Sequence, residues 1–136
     1  MASVPEFRIH PEVQQAIDSG APVVGLETSV VAQGLPYPTN LDVIGAMEQA
    51  VRDAGAVPAT IGILGGEVCV GLESDGLSFF ATGHDIAKAS ERDIGLLYAK
   101  GGDGATTVAA TVAIAARVGI GLCLLYTSDA ADDDRS

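Results

Sequence analysis

Residues 22–40 read PVVGLETSVVAQGLPYPTN, and the reading of Glu27 within them decides the fold. Ahead of it, PVVGL is a continuous apolar run without polar alternation, which predicts a strand over 22–26 buried on both faces, as in a parallel sheet. Such a strand needs helices above and below it, so this short run already implies layers. An ionised carboxylate is costly in a dry setting, so Glu27 either has a partner or holds a proton near neutral pH. The end of a strand in an open α/β sheet is also where ligands bind. The plain alternative is a glutamate that escapes into solvent at the strand's end.

Outward from this stretch, the pattern alternates. Upstream, a helix is expected over 11–19, with Pro11 in the first turn, Val13 and Ile17 four apart, and Gly20 as its stop. Downstream, a helix is expected over 41–54, capped by Asn40, striped by Leu41, Ile44, Met47 and Val51, and ended by Gly55. Glu48 and Arg52 stand at i, i+4 on its flank, the spacing of an ion pair. VPATIGIL (57–64) reads as a strand entering the Gly65-Gly66 turn, and 68–72 as its hairpin or close-turn partner. A further short strand is expected over 77–81 and helical pieces over 84–99, with Asp93 opening DIGLLYAK. After the turn KGGDG, an Ala-rich helix is expected over 105–117, closed by Gly119. The alternation predicts an α/β fold, layered, with a mostly parallel or mixed sheet, and no internal repeat.

Bulk properties narrow the function. The 136 residues suit one domain; 48 % are hydrophobic and 18 % charged, and no apolar run is long enough to span a bilayer as a helix. The N-terminus MASVPEFRIHPE lacks a basic segment followed by an apolar stretch, so a cytoplasmic location is expected. The net charge of -11 disfavours nucleic acid and membrane surfaces as partners, both being anionic. Cys69 and Cys123 lie in apolar runs, without zinc or redox spacing, and read as buried thiols. DAADDDRS at the C-terminus, with four Asp and one Arg, is compositionally foreign to what precedes it.

Three places could carry chemistry. Glu27 is the first. In GHDIAKASERD (83–93), His84 and Lys88 are four apart, so a helix would project both from one face, either as a solvated charged face or toward an anion. Lys88 is one of two lysines, and therefore a leading candidate for an anionic ligand. In KGGDGATT (100–107), glycines before a helix, with the Thr106 and Thr107 hydroxyls, could hold a phosphate at the helix N-terminus, or form only a flexible turn with a capped helix. The closing Gly-Lys-Ser/Thr of a P-loop is missing, no His/Cys/Asp group has metal spacing, and His10 reads as a residue at a helix start.

Taken in order, VVGLETSVVAQGLPYPTN, GAVPATIGILGG, GHDIAKASERD and GGDGATTVAATVAIAARVGI resemble the pseudouridine-5'-phosphate glycosidases, also called indigoidine synthase A-like proteins, over about residues 10–122. The resemblance implies an α/β/α fold, a homotrimer, a divalent metal that is typically manganese, and reversible cleavage of the C–C glycosidic bond of pseudouridine 5'-phosphate to uracil and ribose 5-phosphate. It implies that Glu27 is the proton donor, that Lys88 and Val108 contact substrate, and that Thr106 and Thr107 line the site. Glu91 stands where some relatives have arginine. The family's lysine nucleophile, which forms an imine with the opened ribose, and its metal-binding aspartate fall beyond the resembling part, so no residue here is assigned to either role. Residues 1–122 are accordingly expected to be the N-terminal part of one such domain. Residues 123–136 are expected to be a foreign acidic tail resembling sequencing-adapter read-through, and the chain is expected to be inactive. A noncatalytic phosphate- or nucleotide-binding α/β module is the competing reading.

Overall fold

The computed structural model describes residues 7–125. Strand β1 (Phe7–Ile9) leads into helix α1 (Pro11–Ser19), strand β2 (Val23–Leu26) and a single π-helical turn (Val30–Gly34). Helix α2 (Thr39–Asp53), strands β3 (Val57–Leu64) and β4 (Glu67–Val70) and helix α3 (Ser74–Thr82) follow. Then come β5 (Ala87–Ala89), α4 (Asp93–Lys100), β6 (Gly104–Thr106), α5 (Val108–Val118) and β7 (Leu122–Leu124). The strands form one mixed sheet in the order β1-β4-β3-β2-β7, with β6 also on β3 and β5 on β6.

β3 organises this sheet. Its alternate side chains feed two cores, as strand geometry requires. Ala59, Ile61 and Ile63 pack with Val13 and Ala16 of α1, Leu97 of α4 and Ile114 of α5. On the other face, Ile44 of α2 joins Leu77, Phe80 and Ala81 of α3, the π turn's Val30 and Val31, and Leu26. Helices therefore cover both faces, the α/β/α layering that the apolar run at 22–26 demands. Gly62 makes the second face possible, because a Cβ there would stand 2.8 Å from the Phe80 ring.

Helix α1 runs over the expected residues. His10 caps it, its Nδ1 accepting from the Glu12 amide, and Gly20 closes it at φ 76°. β3 spans the expected residues and pairs antiparallel with β4. Elsewhere tertiary contacts overrule the local pattern. Residues 77–81 belong to α3 rather than to a strand: Leu77, Phe80 and Ala81 are its buried positions, at i, i+3 and i+4. A short apolar run such as LSFFA fits either period. Residues 84–92 are not helical. Asp85 sits at φ 60°, a left-handed conformation that interrupts a helix, and residues 87–89 extend to pair with β6.

The Ala-rich helix begins at Val108, not at residue 105, because Gly104 and Ala105 pair with β3 and Thr107 supplies the cap, its Oγ1 accepting from the Ala110 amide at 3.1 Å. Asn40 lies inside α2, which starts at Thr39. Its side-chain amide donates to the Val31 and Ala81 carbonyls, stitching the π turn to α3. Arg52 does not pair with Glu48: it reaches across to Glu12 with two hydrogen bonds of 2.8 and 3.0 Å, while Glu48 accepts from Thr60 Oγ1 at 2.6 Å. Cys69 is buried and Cys123 half-buried, both free thiols raised by burial. The expected tail boundary after residue 122 falls within β7, which pairs in parallel with β2. Residues 126–136, most of that tail, lie outside the described residues.

Candidate active site

β2 and β6 occupy the same edge of β3, one after the other. β2 runs parallel to β3 and its last registered pair is Leu26 with Thr60. β6 runs antiparallel, pairing Gly104 with Ile63 and Ala105 with Gly62. The two strands therefore approach each other head to head and both stop at Ile61. Glu27, Thr28 and Ser29 emerge from one end, and Thr106, Thr107 and the start of α5 from the other.

A change of partner leaves backbone groups without a ladder, and these must be satisfied another way. Threonine hydroxyls do it. The Ile61 carbonyl accepts from Thr28 Oγ1 at 2.9 Å and from Thr106 Oγ1 at 2.8 Å. The Thr106 amide donates to Thr28 Oγ1 at 2.7 Å. Thr106 Oγ1 also lies 2.8 Å from Thr111 Oγ1. A hydroxyl has a single proton. Since those of Thr28 and Thr106 are directed at Ile61, Thr111 is the donor to Thr106. Thr28, Thr106 and Thr111 are all at 0 % exposure, so the cluster is dry.

Glu27 is likewise at 0 % exposure and Ser29 at 3 %, so the carboxylate does not escape into solvent at the strand's end. Ser29 Oγ donates to Glu27 Oε2 at 2.5 Å. Lys88 is exposed and lies on β5 opposite Ala105 of β6, on a strand rather than on a helical face shared with His84. Val108 is half-buried as the first residue of α5. Glu27, Thr106, Thr107 and Val108 therefore lie at the meeting point of β2 and β6, Lys88 flanks it one strand away, and His84 stands apart, exposed in the bend before β5.

Thr28, Ser29 and Thr111 went unnoticed in the sequence. Their signal is polarity where packing favours carbon: two hydroxyls following Glu27 in VVGLETSVV, and a threonine four residues after Thr107 in an alanine-rich helix. Among the described residues, two clefts elsewhere on the surface are lined without Glu27. One of about 180 Å³ is lined by Phe7, Ile94, Ile114 and Arg117 among others, and one of about 270 Å³ by His10, Glu12, Glu48, Arg52 and Glu73 among others. Among the described residues, no group of three or more His, Cys, Asp or Glu side chains stands together to hold a metal ion. Among the same residues, no helix is long and apolar enough to cross a membrane.

A layered α/β/α arrangement around one mixed sheet whose central strand exchanges partners along one edge places the chain in the open-sheet α/β class. Residues 12–124 match the family described as indigoidine synthase A like protein, and the chain belongs to that family. It is 53 % identical over 115 residues to the pseudouridine-5'-phosphate glycosidase of a Roseiflexus species, covering 82 % of this chain and 37 % of that protein. It is 54 % identical over 110 residues to the enzyme of the same name from Herpetosiphon aurantiacus, covering 81 % and 36 %. The chain thus spans little more than a third of the length of these relatives. Among solved structures, the prealnumycin C-glycosynthase AlnA in complex with ribulose 5-phosphate superposes with TM-score 0.78 at 42 % identity, over 89 % of this chain and 39 % of that one. An indigoidine synthase A-like protein from Thermotoga maritima superposes with TM-score 0.76 at 30 % identity, over 90 % and 40 %.

Proposed function

We propose that this chain forms the acid-bearing part of a pseudouridine-5'-phosphate glycosidase, with Glu27 as the proton donor. The observation that carries this reading is the dry carboxyl of Glu27 at the head-to-head end of β2 and β6. In the reaction, the bond between C5 of uracil and the anomeric carbon breaks; the ring carbon takes up a proton and the sugar carbon gains a hydroxyl, the two together making up one water. A carbon leaving group departs only as its proton arrives, so a carboxylic acid shielded from bulk water and held in one orientation suits the step. Lys88, an exposed cation beside β6, would meet the sugar phosphate, and Val108 with the backbone of 106–107 would wall the sugar at the start of α5. The neighbour bound to ribulose 5-phosphate supports a pentose phosphate as the ligand class.

The same reading includes a homotrimer, a cytoplasmic location and a manganese ion in the complete enzyme. Its ion would need ligands from outside the described residues, and no step of the proton transfer above is routed through it. It also includes the division near residue 122, against which the family match runs to residue 124. The lysine nucleophile is assigned to no residue of this chain, and the 136-residue chain alone is proposed to be inactive. Incubating the purified chain with pseudouridine 5'-phosphate and manganese should release no uracil; sustained turnover would overturn the inactivity. In a protein extended to the relatives' full length, Glu27→Gln should abolish uracil release, and a fully active variant would remove Glu27 from its role.

A further inference from the structure

We propose that Thr28 is a positioning residue that couples the Glu27 carboxyl to the turn that opens α5, so that the two halves of the site move as one body. The inference rests on the site reading above, which makes Glu27 and residues 106–108 parts of one site. β2 and β6 share no ladder, since each pairs with β3 over its own stretch. What joins their ends is the side chain of Thr28, the residue that follows Glu27 in the chain. Its hydroxyl donates to the Ile61 carbonyl and accepts from the Thr106 amide, so one oxygen ties three segments that are 33 and 78 residues apart. From Thr106 the chain of contacts continues to Thr111 and, through the Thr107 cap and the Thr111 amide bonded to the Thr107 carbonyl, into the first turn of α5. Breaking one bond of this buried network leaves dry polar groups without partners, a cost that holds its members together. Displacing the α5 turn therefore displaces the residue next to Glu27.

The experiment is amide hydrogen exchange of the 136-residue chain together with the carboxyl 13C resonance of Glu27, in wild type, Thr28→Val and Thr28→Ser. Valine keeps the shape and removes the hydroxyl; serine keeps the hydroxyl. In Thr28→Val, exchange at Thr106 and at Thr107–Ala110 should quicken by about tenfold or more. The Glu27 resonance should shift, and exchange at Thr106–Ala110 should quicken by clearly more than at the core amides of Ile44 and Val68, in α2 and β4, whose rise reports only the overall loss of stability. Thr28→Ser should restore both readouts. The proposal is overturned if valine leaves the Glu27 resonance or the α5 turn unchanged, if serine behaves like valine, or if exchange rises equally at Ile44 and Val68. Should Thr28→Val fail to fold, Thr111→Val removes only the donor to Thr106. It should give a smaller change at the same residues, and no change there would equally overturn the coupling. Neither readout depends on turnover, so the coupling can fail while Glu27 remains the acid, and the reverse.

Discussion

Two regions of this molecule handle carboxylates in opposite ways. At the β2–β6 junction, Glu27 is removed from water, and the polar groups around it bond to one another and to the backbone. At the α1–α2 rim, Glu12 and Arg52 form a half-exposed ion pair with side chains each 44 % accessible, and Glu48 sits between that pair and the sheet. The rim's charges answer to their own partners: the hydrogen bond from Arg52 holds Glu12 below the usual carboxylate range, while burial pushes Glu48 above it, against the hydrogen bond from Thr60. The contrast teaches that a charge at the rim can be lost with little consequence, because water replaces its partner. At the junction nothing can.

The sharpest break in that comparison would come from truncating the junction's floor. Ile61→Ala, at a residue of 0 % exposure contributing to the main core, should lower stability by about 2–5 kcal/mol in urea unfolding. A loss below about 1 kcal/mol would mean that the core collapses around the gap and that the junction is softer than its packing indicates. Next in size, Thr28→Val should cost about 1–3 kcal/mol, since it leaves the Thr106 amide dry and without its acceptor. At the rim, by contrast, Arg52→Ala should change stability by about 0.5 kcal/mol, and a loss as large as the junction's would erase the distinction.

The pH response separates the rim's two acids by sign. Glu48 has a raised folded pKa, so its contribution is present below the unfolded value and lost as pH rises through the folded one. Glu48→Gln should therefore raise the urea midpoint relative to wild type near pH 7, with the gain fading as the pH falls to the acid side of the carboxylate range. Glu12 has a lowered pKa, so its contribution is present above the unfolded value and lost as pH falls through the folded one. Glu12→Gln should accordingly lower the midpoint slightly at neutral pH and not at strongly acid pH. Smallest of all, molar salt should shrink the Glu12→Gln effect while leaving that of Thr28→Val unchanged, because screening reaches exposed charges and not dry hydroxyls.

Much of the layered plan was legible in the chain, and the reason is local. An unbroken apolar run marks a strand covered on both sides, and β3 appears with the expected ends because its pattern needs no partner to be recognised. Glu27 stood out for the same reason, as a charge where the pattern allows none. The helical setting expected for Lys88 and the start of the Ala-rich helix were misread because spacing four apart and high helix propensity are equally local signals, and the strand pairings of β5 and β6 overrode both. Thr28 and Thr111 were passed over because a threonine beside an apolar run carries no sign of what it bonds to.

The sequence by itself determined that helices must sandwich a sheet, that a carboxylate stands at the end of one inner strand, and to which family the chain is related. The tertiary structure decided that β2 and β6 meet end to end on β3, that Arg52 serves Glu12 rather than Glu48, and that three threonines close the junction. The physical reason lies in range. Burial and periodicity act between neighbours along the chain, whereas the carbonyl left open at Ile61 exists only once segments dozens of residues apart have competed for the same edge of β3.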